Sequence, residues 1–101
     1  MTVSNTLTRI TTADTWTKIY DPGAEADFDY HVENFEAVEV TTQLAIAATG
    51  ATVADTDAFH KATLAEGGTI TGTRVLLENG NALWAKGSGT DLRAEIIAQE
   101  G

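Results

Sequence analysis

The chain contains no cysteine, so it has neither a disulfide framework nor a thiolate zinc site. That absence fits assembly in a reducing compartment. It has one proline, Pro22, which leaves almost no barrier to extended backbone. It has few bases: 6 Lys and Arg stand against 15 Asp and Glu, for a formal charge of −9. No basic cluster occurs, and phosphate-directed binding to nucleic acid needs one. Anionic membrane surfaces are disfavoured for the same reason. No apolar run approaches the roughly 18 residues of a membrane-spanning helix. The first residues, Met1 to Asn5, show no basic region leading into an apolar stretch, so no signal peptide is expected. Serine is nearly missing too, with only Ser4 and Ser88.

What remains is a β-forming composition. Threonine is abundant, and a β-branched side chain suits a half-exposed strand. Apolar residues make up 43% of the 101 residues, within the globular range. A chain of this size buries roughly 65% of its unfolded surface, enough for one domain without staples.

The segment 1–12 is threonine-rich with sparse apolar positions, Val3, Leu7 and Ile10. It reads as an N-terminal arm, an edge strand or a frayed terminus, with residues 13–101 forming a single β-sandwich domain. Thr15 to Tyr20 reads as a strand, stopped by Asp21-Pro22-Gly23. The clearest period of two follows: Glu25, Asp27, Asp29, His31 and Glu33 on one side, Ala26, Phe28, Tyr30 and Val32 on the other. Asn34 is expected at a turn or bulge. In the strand from Ala37 to Ala47, the expected inward residues are Val38, Val40, Thr42, Leu44 and Ile46, with Glu39, Thr41 and Gln43 outward. Residues 51–58 read as a loop with one helical turn after Asp55 or Asp57. Phe59 to Glu66 fits a short strand or a helical turn. Thr69 to Glu78 is a strand with Ile70, Val75, Leu76 and Leu77 as its apolar residues. Asn79-Gly80 signals a hairpin into Ala82–Lys86. Gly87 to Thr90 turns into a last strand whose inward residues are Leu92, Ala94, Ile96 and Ala98. The expected fold is all-β, a small antiparallel sandwich or barrel of about six to seven strands.

Chemistry is sparse. His31 and His60 have no Ser or Cys partner at recognisable spacing, and a nucleophile needs a base and an orienting group. No phosphate-binding glycine motif precedes a helix. The acids from Glu25 to Glu33 invite a calcium reading, but at about 3.3 Å per residue they spread over about 26 Å. Calcium draws its oxygens within about 2.5 Å of one point. Glycosidase chemistry needs two acids facing across a cleft, not strung along one strand face. No catalytic residue, metal ligand or cofactor is therefore expected, and the acidic row reads as a wet face, with an interface for a basic partner or a cation as the alternatives. Trp16 and Trp84 read as core residues, with a sugar platform or assembly anchor as the alternative; the inward residues on its strand favour the core for Trp84.

The order of features resembles a known family. Thr15-Trp16-Thr17-Lys18-Ile19-Tyr20-Asp21 leads into the acidic strand ending at Asn34, then valine-rich Val38 to Ile46, a glycine turn, Asn79-Gly80, Ala82-Leu83-Trp84-Ala85-Lys86-Gly87 and a terminal strand. Over most of residues 13–98 this resembles the small β-sandwich virion proteins of tailed phages, among them capsid decoration (cement) proteins and head-fibre or tail accessory domains. The resemblance implies a structural protein on the capsid exterior, assembled in the host cytoplasm, with no enzymatic activity. It implies as partners the major capsid protein and copies of the chain itself, often as trimers, with an arm reaching to neighbours. The expected contact residues are Val3, Leu7, Arg9, Ile10 and Trp84. A carbohydrate- or receptor-binding module of a tail or fibre is the alternative, although no sugar-binding signature is present. Because no metal is expected, EDTA should leave the melting temperature unchanged; a fall on chelation, reversed by calcium, would contradict the reading of the acidic row.

Overall fold

The computed structural model describes residues 2–100. Met1 of the expected arm and Gly101 of the expected sandwich lie outside the described residues. The chain runs through eight strands: β1 Thr2–Ile10, β2 Thr17–Tyr20, β3 Ala26–Asn34, β4 Val40–Ala48, β5 Ala58–Leu64, β6 Thr69–Leu77, β7 Asn81–Gly87 and β8 Leu92–Glu100, with a 3-10 turn at Asp55–Asp57. They form two antiparallel four-stranded sheets, ordered β1-β8-β3-β6 and β2-β7-β4-β5. The sheets stack as a sandwich and do not close into a barrel. Only β4 and β5 are consecutive strands of one sheet; every other connection crosses to the other sheet. This order is that of a jelly roll, two interlocked Greek keys.

The alternation in β3 and β8 has the expected outcome. Ala26, Phe28, Tyr30 and Val32 are buried, as are Leu92, Ala94, Ile96 and Ala98. From the facing sheet come Ile19, Tyr20, Val40, Leu44, Leu64, Leu83 and Ala85. The Phe28 ring lies 5.6 Å from Tyr20 and 6.3 Å from Tyr30, all three tilted against one another. Each large apolar side chain fully buried here contributes about 1.5–3 kcal/mol.

Of the three readings of the first segment, the structure has the edge strand: Thr2 to Ile10 pair with β8 in unbroken register, and Ile10 is 1% exposed in the core. Residues 58–64 are a strand, and the helical turn at Asp55 is present. Asn79-Gly80 does make a turn, with Gly80 at φ +91° and the Asn81 N–H donating to the Glu78 carbonyl at 3.1 Å. It is not a hairpin, because β6 pairs with β3 while β7 lies between β2 and β4. Turn chemistry fixes a reversal of direction, not which sheet the next strand joins. Val38, expected inward, is 62% exposed in the bend before β4. Gln43 keeps the expected outward parity, level with Lys61 and Lys86, but is buried on this central strand. Leu76 faces out, 55% exposed, between inward-facing neighbours.

Two local features hold the crossings. Asn34, fully buried at the end of β3, donates through Nδ2 to the carbonyls of Val38 (2.8 Å), Leu64 (3.0 Å) and Ala65 (3.3 Å), and its Oδ1 accepts from the Glu36 N–H at 2.9 Å. Its own N–H and carbonyl bond Gly68 and Gly67. One side chain thus ties the β3–β4 crossing to the β5–β6 crossing. At the other edge, Tyr30 lies directly over Gly72, where a Cβ would come within 2.3 Å of its ring. Its hydroxyl bonds His60 Nδ1, joining the first sheet to β5 of the second. Asn34→Ala strands several buried carbonyls at once and should cost on the order of 3 kcal/mol, read as a lower urea midpoint with an unchanged slope. A loss under 1 kcal/mol would show that water replaces the amide.

Candidate assembly surface

The outer face of the first sheet is set by register. Across β1, β8, β3 and β6 the rows read Val3–Gln99–Asp27–Leu76, Asn5–Ile97–Asp29, Leu7–Glu95–His31–Thr71 and Arg9–Arg93–Glu33–Thr69. Four large apolar side chains stand exposed among these charges: Val3 (64%), Leu7 (74%), Ile97 (44%) and Leu76 (55%). The acidic row is therefore not an isolated stripe. Glu33 lies beside Arg93, and Asp29 accepts the Arg74 N–H at 2.8 Å, where Arg74 sits in a bulge at φ +53°.

One end of this face is organised by Asp91. Its two oxygens take paired bonds from Arg9 (3.1 and 3.2 Å) and from Arg93 (3.2 and 3.3 Å). The Arg93 guanidinium also lies 3.9 Å from the centre of the Phe35 ring, a cation–π stack. Beside it is an open depression of about 430 Å³, lined by Leu7, Arg9, His31, Glu33, Phe35, Arg93 and Glu95. Its one lining hydroxyl is that of Thr8, and the charged groups around it include the Asp91-paired Arg9 and Arg93. Among the described residues, no three His, Cys, Asp or Glu side chains are placed to hold a metal ion.

The outer face of the second sheet carries both tryptophans, each half-buried. Trp84 pairs across strands with Ala45 and Lys18, on the side opposite Leu83 and Ala85. The expectation that Trp84 shares the inward parity of its strand is thus overturned: a period of two places Leu83 and Ala85 inside and Trp84 outside. Lys18 Nζ lies 5.8 Å from the centre of the Trp84 ring and Lys86 Nζ lies 5.7 Å from that of Trp16. Asp55 ties the cluster, accepting from Trp16 Nε1 at 3.1 Å and from Lys86 at 2.6 Å.

Of the expected contact residues, Val3, Leu7 and Arg9 share the outer face of the first sheet. Ile10 is in the core, opposite Leu92, and Trp84 is on the far sheet. Ile97, Leu76, Phe35 and Arg93 were not singled out from sequence. Ile97 had a signal, since two adjacent isoleucines in a strand cannot both face inward. Comparison with known proteins adds nothing to this geometry: no protein-family model, no curated protein and no solved structure matches the chain.

Four surface carboxylates, Asp21, Glu36, Asp55 and Asp91, are held below their ordinary values. For Asp91 the main cause is the Arg93 hydrogen bond, with Arg9 adding to it; for Glu36 it is the Thr90 hydroxyl and N–H. For Asp21 it is Thr49 and then Lys18, and for Asp55 it is Lys86. A depressed folded-state pKa contributes stability that is present above the unfolded value, 3.8 for Asp and 4.5 for Glu, and is lost as pH falls through the folded value. The urea midpoint should therefore be flat near neutrality and drop in acid below about pH 4. Asp91→Asn should lower the midpoint at neutral pH and flatten the acid drop; parallel pH profiles for the two proteins would refute the assignment.

Proposed function

We propose that this chain is a non-enzymatic assembly protein that docks through the outer face of its first sheet, and more specifically a decoration protein on the capsid exterior of a tailed phage, assembled in the host cytoplasm. The observation that carries the reading is the group of exposed apolar side chains, Val3, Leu7, Ile97 and Leu76, displayed on one face of a four-stranded antiparallel sheet. Large apolar groups on an ordered surface are the material of protein interfaces. The capsid setting rests on the sequence resemblance, whose partners are the major capsid protein and further copies of the chain. The jelly-roll order is compatible with it but is shared with lectins and enzymes, so fold alone does not choose. The sugar-binding alternative is weakened by the two lysines lying over the tryptophan rings, since a sugar platform needs an open ring face.

Capsids of the encoding phage, assembled without this chain, should co-sediment with the purified protein. The Leu7→Lys/Ile97→Lys variant should keep its melting temperature and bind about 10-fold more weakly or worse. Failure of the wild-type protein to bind would remove the capsid reading. Equal binding by the variant would move the contact to another surface.

A further inference from the structure

Each sandwich has four sheet edges, and a bare edge is a template for another strand. Three edges of this protein carry protection. β2 has only four residues, a register shift and Lys18. β5 has Lys61 and a register shift against β4. β6 is interrupted by the Arg74 bulge. β1 carries none of these: it is nine residues long, in unbroken register with β8, without proline, lysine or bulge. It is also free of acids in a chain of net charge −9, and its one charge, Arg9, is neutralised by Asp91 at its end.

We propose that β1 pairs antiparallel with β1 of a second copy, about a two-fold axis at Asn5, to give one continuous eight-stranded sheet. The occupant follows from self-complementarity. An axis at Asn5 sets Val3 of each copy against Leu7 of the other on the outer face, and Ser4 against Thr6 on the inner face. Two scattered apolar side chains per copy become one island at the joint, flanked by Ile97 of each copy, which lies opposite Asn5. The two Arg9 side chains end up about 26 Å apart at about 3.3 Å per residue. No acid meets an acid along the joint. The added strand also roofs the depression of about 450 Å³ between β1 and β2, where Ser4 and Thr6 face Lys18 and Tyr20. An isologous edge pair closes as a dimer, in place of the trimer that the resemblance implies.

The pairing deepens the assembly reading but is measured without capsids, so the two fail separately. Sedimentation velocity on the full chain at micromolar concentrations should show a reversible dimer. Because the chain lacks cysteine, single substitutions report the contact without background. On mild oxidation Asn5→Cys should give a disulfide-linked dimer, since position 5 meets itself at a Cβ spacing of about 4.5–5.5 Å. Leu7→Cys, whose copies stand about 13 Å apart along the strands, and Thr71→Cys, on the opposite edge, should remain unlinked. A wild-type protein that stays monomeric throughout overturns the proposal. So does a dimer that links at position 7 or 71 as readily as at position 5.

Discussion

The amide of Asn34 is the contact on which the arrangement of the two sheets depends. Strands that alternate between sheets need crossings, and crossings leave carbonyls pointing inward with no ladder partner. Asn34 answers three such carbonyls with one NH₂ group and takes the Glu36 N–H on its oxygen. A buried polar group of this kind is stabilising only because all of it is satisfied. The bend that it fixes presents Phe35 beneath Arg93 and places Glu36 where Thr90 can bond it, so the end of the outer face inherits its shape from the core.

The two outer faces divide the surface chemistry. On the second sheet, Asp55 bonds Trp16 and Lys86, and a lysine lies over each tryptophan ring. On the first sheet the Arg–Asp ion pairs gather at the Asp91 end, while the apolar side chains Val3, Leu7, Ile97 and Leu76 stand exposed. Exposed Val3 and Leu7 cost the isolated chain burial that it has no internal way to recover. That asymmetry, more than the fold, is what the docking proposal rests on.

Much of this was legible in the residues. The period of two in β3 and β8 names the core directly, because a slip of one residue would turn Phe28 and Ile96 to solvent. The turns at Gly23, Gly67 and Gly80 were legible because each takes a positive φ. Sheet membership was not. Asn79-Gly80 looks the same whether the next strand pairs with the last or crosses over it, and only the partners of β6 and β7 decide. Trp84 was misplaced for a related reason: parity depends on where a strand begins, and here Leu83 and Ala85 take the inward positions. The role of Asn34 was hidden because its partners, Leu64 and Ala65, lie far along the chain. The proposed assembly face was half visible, through Val3, Leu7 and Arg9; Ile97 and Leu76 joined it only once the register was known.

The strand order also has a consequence in time. β8 lies between β1 and β3, so the first sheet has a gap at its centre until β8 is made. On the ribosome, β1 and β3 are synthesised early and then wait, with the apolar side chains of Phe28 and Val32 uncovered. The second sheet waits as well, for β7 to enter between β2 and β4. Folding cannot proceed strand by strand with synthesis; it must follow the emergence of β8 in one late, cooperative collapse of distant partners. The exposed interval is one in which an acidic, cysteine-free chain has an advantage, since like charges hold nascent copies apart and no thiol can trap a wrong pairing.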